Sequence, residues 1–137
     1  MCCYVVRLVQ FDPLHAAIAT KVLEFAGLSS RVTVLVGTVE TRLPALQAKY
    51  GVRSIDLLFI DHVKSLYLPD LKRVEAAGLL VAGSVVVADN VIRPGAPELL
   101  AYLRSEEGRL YHTVMHDTTL EYKSDIKDAV TVSTRLK

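Results

Sequence analysis

The sequence predicts an α/β fold built on a mostly parallel β-sheet. Short apolar segments rich in β-branched residues alternate with amphipathic helical segments, glycines follow several of the helices, and polar residues follow two of the apolar strands. This alternation is typical of βαβ crossovers, which cover both faces of a parallel sheet with helices. With 137 residues, 51% of them hydrophobic, the chain is expected to form a single domain over residues 1–137.

The first part of the chain predicts two strands and two helices. The strands are residues 4–11 and 31–36, and the helices are residues 14–25 and a segment from residue 38 or 39 to residue 50. Asp12 is suited to cap the first helix, and Pro13 to occupy its first position. Gly27 is expected as the C-cap of that helix, and Gly51 ends the second one.

The middle of the chain continues the alternation. The predicted strands are residues 55–60 and 84–88, and the predicted helices are residues 69–80, closed by Gly83, and 96 or 97 to 104. The run from Leu57 to Ile60 is too short for a helix and too continuously apolar for a half-exposed strand. It therefore predicts a parallel strand buried on both faces.

The C-terminal part breaks this rhythm. It predicts strands over residues 110–116 and 129–133, with a loop over residues 117–122. A short connection between final strands favours an antiparallel hairpin at the edge of the sheet.

Charge and cysteine usage exclude several classes of function. The 16 basic and 15 acidic residues are scattered and give a net charge of +1, so no nucleic-acid or anionic-membrane surface is predicted. The apolar runs are too short to span a membrane. The only cysteines, Cys2 and Cys3, are adjacent and expected in or before the first strand, which favours a reducing, cytoplasmic setting. We expect a small-molecule or protein partner.

Polar residues follow two neighbouring strands of the predicted sheet. Asp61 comes directly after the strand 55–60, and Asp89 and Asn90 follow the strand 84–88. Ligands of open α/β sheets bind beyond the carboxyl ends of the strands. Two carboxylates and an amide oxygen are hard ligands, which suit Mg²⁺ and leave positions for water and for neighbouring hydroxyls of a substrate.

Lys64 lies three residues after Asp61 and is a candidate general base for such a hydroxyl. A nearby dication and partial burial are expected to lower the pKa of Lys64, as a base at neutral pH requires. Each residue also has a structural alternative: Asp61, Asp89 and Asn90 as turn or cap residues, and Lys64 as a solvated lysine. A receiver domain, which also ends a strand in Asp, is disfavoured because Phe11-Asp12-Pro13 replaces its acidic pair.

An ordered series of motifs resembles the catechol O-methyltransferase family between about Val5 and Tyr122. The motifs are Phe59-Ile60-Asp61-His62-Val63-Lys64, Tyr67-Leu68-Pro69-Asp70, Ala88-Asp89-Asn90-Val91-Ile92, Pro94-Gly95-Ala96-Pro97 and Leu120-Glu121-Tyr122. The resemblance implies a Rossmann-like class I methyltransferase fold. It also implies that S-adenosylmethionine and Mg²⁺ are used to methylate one hydroxyl of a catechol-type substrate.

The resemblance implies roles for individual residues. Those implied at the reaction centre are metal ligands at Asp61, Asp89 and Asn90, a general base at Lys64, a carboxylate at Glu121 that binds the other hydroxyl, and a pocket wall at Pro94. Those implied for the cofactor are Phe11, Gly37, Val39, Glu40 and His62, with Gln10 at the position of an acid that binds the ribose.

Three departures from the family are visible. Gln10 replaces the ribose-binding acid, Val63 replaces a tryptophan, and the chain begins at the family's second strand. The family's N-terminal helices, first strand and glycine-rich turn are therefore expected to be missing, as in a fragment, a mis-started gene model or a degenerate copy. The strands 4–11 and 55–60 either pair directly or keep open edges that invite self-association.

Three functions therefore stay open. The first is a Mg²⁺-dependent catechol O-methyltransferase, and the second is a non-catalytic methyltransferase-like interaction module. The third is a methyltransferase that acts on another vicinal diol or phenol.

Overall fold

The computed structural model describes residues 4–137, and the predicted place of Cys2 and Cys3 lies outside the described residues. The chain divides into two compact units, one ending at Gly51 and the other comprising Val52–Lys137. Each unit has its own β-sheet. The assignment of the whole chain to one domain stays a prediction. Within residues 4–137, no helix has the length and apolar character needed to cross a membrane.

The unit that ends at Gly51 is a βαβα arrangement. Its elements are β1 (Val6–Gln10), α1 (Pro13–Phe25), β2 (Val32–Val36) and α2 (Val39–Ala48). Strands β1 and β2 are parallel, with Gln10 opposite Val36, so their carboxyl ends lie side by side. The predicted crossover is confirmed.

Local capping explains where α1 begins and ends. The Asp12 carboxylate accepts hydrogen bonds from the main-chain N–H groups of Leu14 (2.8 Å) and His15 (3.1 Å), and Pro13 is the first helical residue, as predicted. The C-cap is Ala26 rather than Gly27. Gly27 follows it with a φ of 69°, the left-handed conformation that lets the chain leave the helix.

The unit Val52–Lys137 contains a mixed sheet with the strand order β3-β4-β6-β5. Its elements are β3 (Leu57–Ile60), a 3₁₀ turn (Lys64–Leu66), α3 (Tyr67–Ala76), β4 (Val85–Ala88), a single helical turn (Val91–Gly95), α4 (Pro97–Arg104), a 3₁₀ turn (Glu107–Leu110), β5 (Tyr111–Leu120) and β6 (Lys123–Arg135). Strands β3 and β4 are parallel, whereas β6 runs antiparallel to both of its neighbours, β4 and β5. The predicted C-terminal hairpin is confirmed.

Several element boundaries differ from the prediction, most clearly in the C-terminal hairpin and in α3. Strands β5 and β6 continue to a tight turn at Glu121 and Tyr122, so residues 117–120 are strand rather than loop. Cross-strand pairing of this polar tip, which the apolar pattern does not show, accounts for the difference. Helix α3 ends at Ala76 because Gly78 turns the chain with a φ of 68°, and the buried Leu80 that follows had extended the apparent helical pattern.

The prediction that β3 is buried on both faces is wrong. Leu57 and Phe59 are 62% and 60% exposed, whereas Ile60 is 3% exposed. A strand is buried on both faces only where other elements cover both, and here one face remains open to solvent. Among the described residues, β1 pairs only with β2, and β3 pairs on its one side with β4. The two strands thus belong to separate sheets, and the expected self-association through open edges stays a prediction.

Candidate active site

The carboxyl ends of β3 and β4 bring four of the predicted site residues of this unit together. The strands are in register with Ile60 opposite Ala88, so the segments that follow them leave the sheet at the same edge. The Lys64 Nζ atom donates hydrogen bonds to Asp61 Oδ1 (3.0 Å) and Asn90 Oδ1 (3.3 Å), and to the main-chain oxygen of Asp89 (3.3 Å). We call these four residues the strand-end cluster.

Tyr67 contacts this cluster, although the sequence had predicted no role for it in the site. Its side chain is fully buried, and its hydroxyl accepts a hydrogen bond from Lys64 Nζ. The same hydroxyl donates to the main-chain oxygen of Asp89 at 3.0 Å and lies 3.4 Å from Asp61 Oδ1. The available signal was its position three residues after Lys64, which places both side chains on one face of a helical turn.

The electrostatics of the cluster stabilise a protonated Lys64. Burial lowers the pKa of Lys64, but its hydrogen bonds to Tyr67 and Asp61 outweigh burial, and the pKa is raised. The pKa of Tyr67 is also raised, chiefly because burial disfavours the phenolate. A lowered pKa was expected for Lys64 beside a dication. The hydrogen bonds of the ammonium to Tyr67 and Asp61 account for the opposite direction.

Asp89 and Asn90 reach the cluster in different ways. The Asp89 carboxylate accepts a hydrogen bond from the main-chain N–H of Asn90 (2.7 Å), and Asp89 contacts Lys64 through its main-chain oxygen. Asn90 has φ and ψ of 51° and 44°, a left-handed conformation that asparagine tolerates better than most residues. Because of this turn, the side chains of Asp89 and Asn90 leave the end of β4 in different directions.

Asp128 lies behind Asn90 and was not predicted from the sequence. Its carboxylate is 3% exposed and accepts hydrogen bonds from Asn90 Nδ2 (2.8 Å) and from the main-chain N–H groups of Ile92 (3.1 Å) and Arg93 (3.0 Å). Burial raises the pKa of Asp128, but these hydrogen bonds outweigh burial, so the pKa is lowered and the group is ionised. The available signal was an aspartate in a β-branched strand segment, where aspartate is depleted.

His62 is held by a carboxylate on α3. Its Nε2 atom lies 2.9 Å from Asp70 Oδ2, and Asp70 also accepts a hydrogen bond from Arg73 (3.0 Å). The imidazole ring is tilted against the Tyr67 ring, with 5.2 Å between the centroids. His62 thus has a fixed orientation beside the strand-end cluster, and its predicted contact with a cofactor stays a prediction.

Pro94 and Glu121 lie at two other places in the unit. Pro94, in the turn Val91–Gly95, lines a surface depression of about 770 Å³ together with Leu120 and the start of β6. Glu121 is exposed in the turn of the β5–β6 hairpin. Among the hydrogen bonds of residues 4–137, none joins Glu121 to the strand-end cluster. The roles of Pro94 and Glu121 stay predictions.

The predicted cofactor residues of the other unit lie at the carboxyl ends of β1 and β2. Gln10 Oε1 accepts a hydrogen bond from the main-chain N–H of Asp12 (3.1 Å), and the Gln10 main-chain oxygen accepts one from Gly37 (2.9 Å). Phe11 is 66% exposed. Val39 and Glu40 form the first turn of α2, which Thr38 caps through a reciprocal pair of hydrogen bonds with Thr41.

The donor set of the strand-end cluster fits a hard cation. Within residues 4–137, no three His, Cys, Asp or Glu side chains converge as a metal site. The predicted set consists of two carboxylates and one amide, and the oxygens of Asp61 and Asn90 already face one cation, the Lys64 ammonium. Such oxygen ligands match the chemistry that Mg²⁺ prefers. The residues therefore fit the metal that the resemblance implies.

Comparison with solved structures identifies the fold. The fold matches cofactor-bound Rv0187 from MTB with a TM-score of 0.78 and 26% identity, covering 96% of this chain and 61% of that one. It also matches an O-methyltransferase from Bacillus cereus in complex with SAH, with a TM-score of 0.75, 22% identity and 96% and 62% coverage. The expected Rossmann-like O-methyltransferase fold is confirmed.

Sequence comparison identifies the relatives. The chain is homologous to catechol O-methyltransferases, being 50% identical over 96 residues to that of Sus scrofa, which covers 70% of this chain and 52% of the relative. It is 48% identical over 96 residues to that of Bos taurus, covering 70% and 35% of the two chains. The chain thus spans about half the length of these relatives or less. No family model matches it.

Proposed function

We propose that this chain transfers a methyl group from S-adenosylmethionine to one hydroxyl of a catechol-type substrate, with Mg²⁺ at the strand-end cluster. One observation carries the proposal: groups from two strand ends, Asp61, Asp89 and Asn90, converge on the single cationic atom Lys64 Nζ. The names of the relatives, catechol O-methyltransferases, support the same reaction.

The cluster suits a hydroxyl that must lose a proton. Asp61, Asp89 and Asn90 would hold Mg²⁺, which when bound favours the ionised form of a hydroxyl. If Lys64 loses its hydrogen bond to Asp61, one of the contacts that raise its pKa disappears, while burial continues to favour the neutral amine. In that state Nζ can accept the proton of the hydroxyl that is methylated.

The remaining residues bind and orient. Glu121 would accept a hydrogen bond from the second hydroxyl, and Pro94 would form one wall of the substrate pocket. Gln10, Phe11, Gly37, Val39, Glu40 and His62 would contact S-adenosylmethionine, which when bound supplies the methyl group. The hydrogen bond from His62 to Asp70 restricts the imidazole to one orientation, so it is positioned before any ligand binds.

The proposal is tested by Asp89→Ala. This substitution is expected to abolish methyl transfer to a simple catechol because it removes a carboxylate from the proposed metal site. Asp117→Ala, an exposed aspartate on β5, is the matched control and should keep wild-type activity. If Asp89→Ala retains activity and folds as the wild type does, the metal assignment is wrong.

A second candidate function is that of a non-catalytic interaction module. The observation that favours it is the β3 edge strand, on which Leu57 and Phe59 are exposed. Unprotected apolar edge strands pair readily with other chains, including a second copy. Phe59→Lys should then lower the self-association measured by sedimentation velocity, whereas Tyr122→Lys, which changes an exposed aromatic in a hairpin turn, should not.

Calorimetric titration with S-adenosylmethionine separates the two candidates. Clear one-site binding by the 137-residue chain would reject the non-catalytic reading. Absence of binding would favour it.

A third hypothesis keeps the methyltransferase but assigns another vicinal diol or a phenol as acceptor, and relative rates across these acceptors distinguish it. Cytoplasmic location and the absence of a nucleic-acid partner also remain proposals from composition.

A further inference from the structure

Asp128 makes contacts that link Asn90 to the turn that carries Pro94. The carboxylate accepts four hydrogen bonds, from Asn90 Nδ2 and from the main-chain N–H groups of Ile92, Arg93 and Ala129. One oxygen, Oδ2, receives the Asn90 side chain, and the other, Oδ1, receives the three main-chain groups. The 3% exposure of Asp128 leaves little room for water to replace these contacts.

The orientation of the Asn90 amide follows from this arrangement. Asn90 Nδ2 donates to Asp128 Oδ2 at 2.8 Å, and Asp128 Oδ1 accepts three main-chain N–H groups, so the amide turns its NH₂ group toward a carboxylate that acts as an acceptor. The amide oxygen then points in the other direction, where it lies 3.3 Å from Lys64 Nζ. If the amide were reversed, an oxygen would face the Asp128 carboxylate and an NH₂ group would face the ammonium, and both contacts would be repulsive.

We infer that Asp128 is a positioning residue that fixes the Asn90 amide with its oxygen toward the cation of the strand-end cluster. The part of the inference that concerns a divalent metal rests on the proposed function. The orientation of the Asn90 amide toward Lys64 does not depend on a metal and is a property of the chain alone. Asp128 acts through Asn90, the member of the strand-end cluster to which its carboxylate is hydrogen-bonded.

The decisive test exchanges the two side chains. In Asp128→Asn, the new amide can accept the main-chain hydrogen bonds only if its NH₂ group faces Asn90, which forces the Asn90 amide to reverse. In the double variant Asn90→Asp with Asp128→Asn, the NH₂ group is supplied from position 128, and a carboxylate oxygen faces the cluster again. The exchange preserves the total charge and the number of hydrogen bonds.

Binding of Mn²⁺ to the full chain, measured by electron paramagnetic resonance, is the readout. Asp128→Asn should weaken Mn²⁺ binding by about 10- to 100-fold, as for other residues that orient metal ligands. The double variant should recover most of that loss, and Asp117→Asn should bind as the wild type does. Wild-type affinity in a folded Asp128→Asn variant, or no recovery in a folded double variant, would overturn the inference.

A second measurement needs no variant and no metal. In the wild type, NMR should show slow hydrogen exchange of the Asn90 side-chain amide, because it donates to a buried carboxylate. Fast exchange would reject the inference even if a variant failed to fold. If the wild type binds no Mn²⁺ while the amide is protected, the proposed metal-dependent function fails and the positioning role stands.

Discussion

The strand ends of the two units differ in how far their contacts reach along the chain. In Val52–Lys137, Lys64 bonds to Asn90 and Asn90 bonds to Asp128, across 26 and 38 residues. In the unit that ends at Gly51, the side chains near the strand ends bond locally: Gln10 with Asp12, and Thr38 with Thr41. The first region is a network fixed by tertiary structure, whereas the second is a pair of turns fixed by neighbouring residues.

Because of this difference, we expect the two regions to respond differently to substitutions. A network in which each group holds the next should respond strongly to loss of one member, because a buried partner is left unpaired. Local turns should respond mainly to changes in backbone geometry or in a single hydrogen bond.

Lys64→Ala should have the largest effect. It removes the proposed base and leaves Asp61, Asn90 and the buried Tyr67 hydroxyl without their shared cation. Methyl transfer to a catechol at saturating Mg²⁺ should fall by about 100- to 10,000-fold. Lys123→Ala, at the exposed start of β6, should leave the rate unchanged. A loss below tenfold in a folded Lys64→Ala variant would remove Lys64 from the role of base.

Gly37→Ala should have the largest effect in the other region. Gly37 has a φ of 142°, and an added Cβ would lie 2.6 Å from Arg42 Nε and 2.8 Å from Thr41 Oγ1. The backbone strain alone amounts to about 1–3 kcal/mol. Affinity for S-adenosylmethionine, measured by calorimetry, should fall by about tenfold or more.

Gly78→Ala provides the control for that substitution. Gly78 also has a positive φ, 68°, but an added Cβ there meets no atom within 4 Å. This variant should be destabilised without a specific loss of cofactor affinity. Equal losses in the two variants would show that the effect of Gly37→Ala is general destabilisation.

Gln10→Glu should have a smaller effect of the opposite sign. A carboxylate can still accept the hydrogen bond of the Asp12 main-chain N–H, and it forms stronger hydrogen bonds to ribose hydroxyls than an amide does. Affinity for S-adenosylmethionine should rise by about fivefold. The nearby Asp12 carboxylate limits the gain. Weaker binding by Gln10→Glu would show that position 10 does not contact the ribose.

Alkaline pH should produce the smallest difference between the two regions, a difference in their stability. The partly buried groups with raised pKa values, Lys64, Tyr67, Tyr102 and Tyr111, all belong to Val52–Lys137, whereas Lys21 of the other unit has a raised pKa but an exposed side chain. A group whose pKa is raised in the folded state contributes its full stabilisation of the fold when the pH is below the ordinary pKa, 10.5 for lysine and 10.0 for tyrosine. That contribution is lost as pH rises through the folded pKa.

Hydrogen exchange followed by mass spectrometry tests this pH dependence. Protection of β3, β4 and α3 should decrease as pH rises above about 10, after correction for the intrinsic exchange rate. Tyr111→Phe removes one of the four groups and should reduce the decrease. Equal loss of protection in β1 and β2 would contradict the assignment of the effect to Val52–Lys137.

The sequence predicted the parts of the site that follow directly from strand ends. An apolar strand that stops at Asp61, and a second that stops at Asp89 and Asn90, must present those residues at one edge if the strands are parallel neighbours. The structure has this pairing. Lys64 could be predicted as well, because it lies one short turn beyond Asp61.

The sequence could not predict contacts that depend on the pairing of distant strands. Asp128 reaches Asn90 because β6 lies antiparallel beside β4, with Thr131 opposite Ala88, so that position 128 extends past the end of β4. Nothing in the local sequence around Asp128 specifies that register. The burial of β3 was misjudged for a related reason: an apolar run shows what a strand could bury, and neighbouring elements decide what is covered.

The sequence by itself determined the alternation of strands and helices, the cap at Asp12 and the chemical identity of the strand-end groups, because these depend on residue type and short-range spacing. Only the tertiary structure decided that Lys64 donates hydrogen bonds to Asp61, Asp89 and Asn90, that Tyr67 and Asp128 contact this cluster, and that Leu57 and Phe59 remain exposed. These features depend on which distant segments pack together, and packing is set by the whole chain rather than by any local pattern.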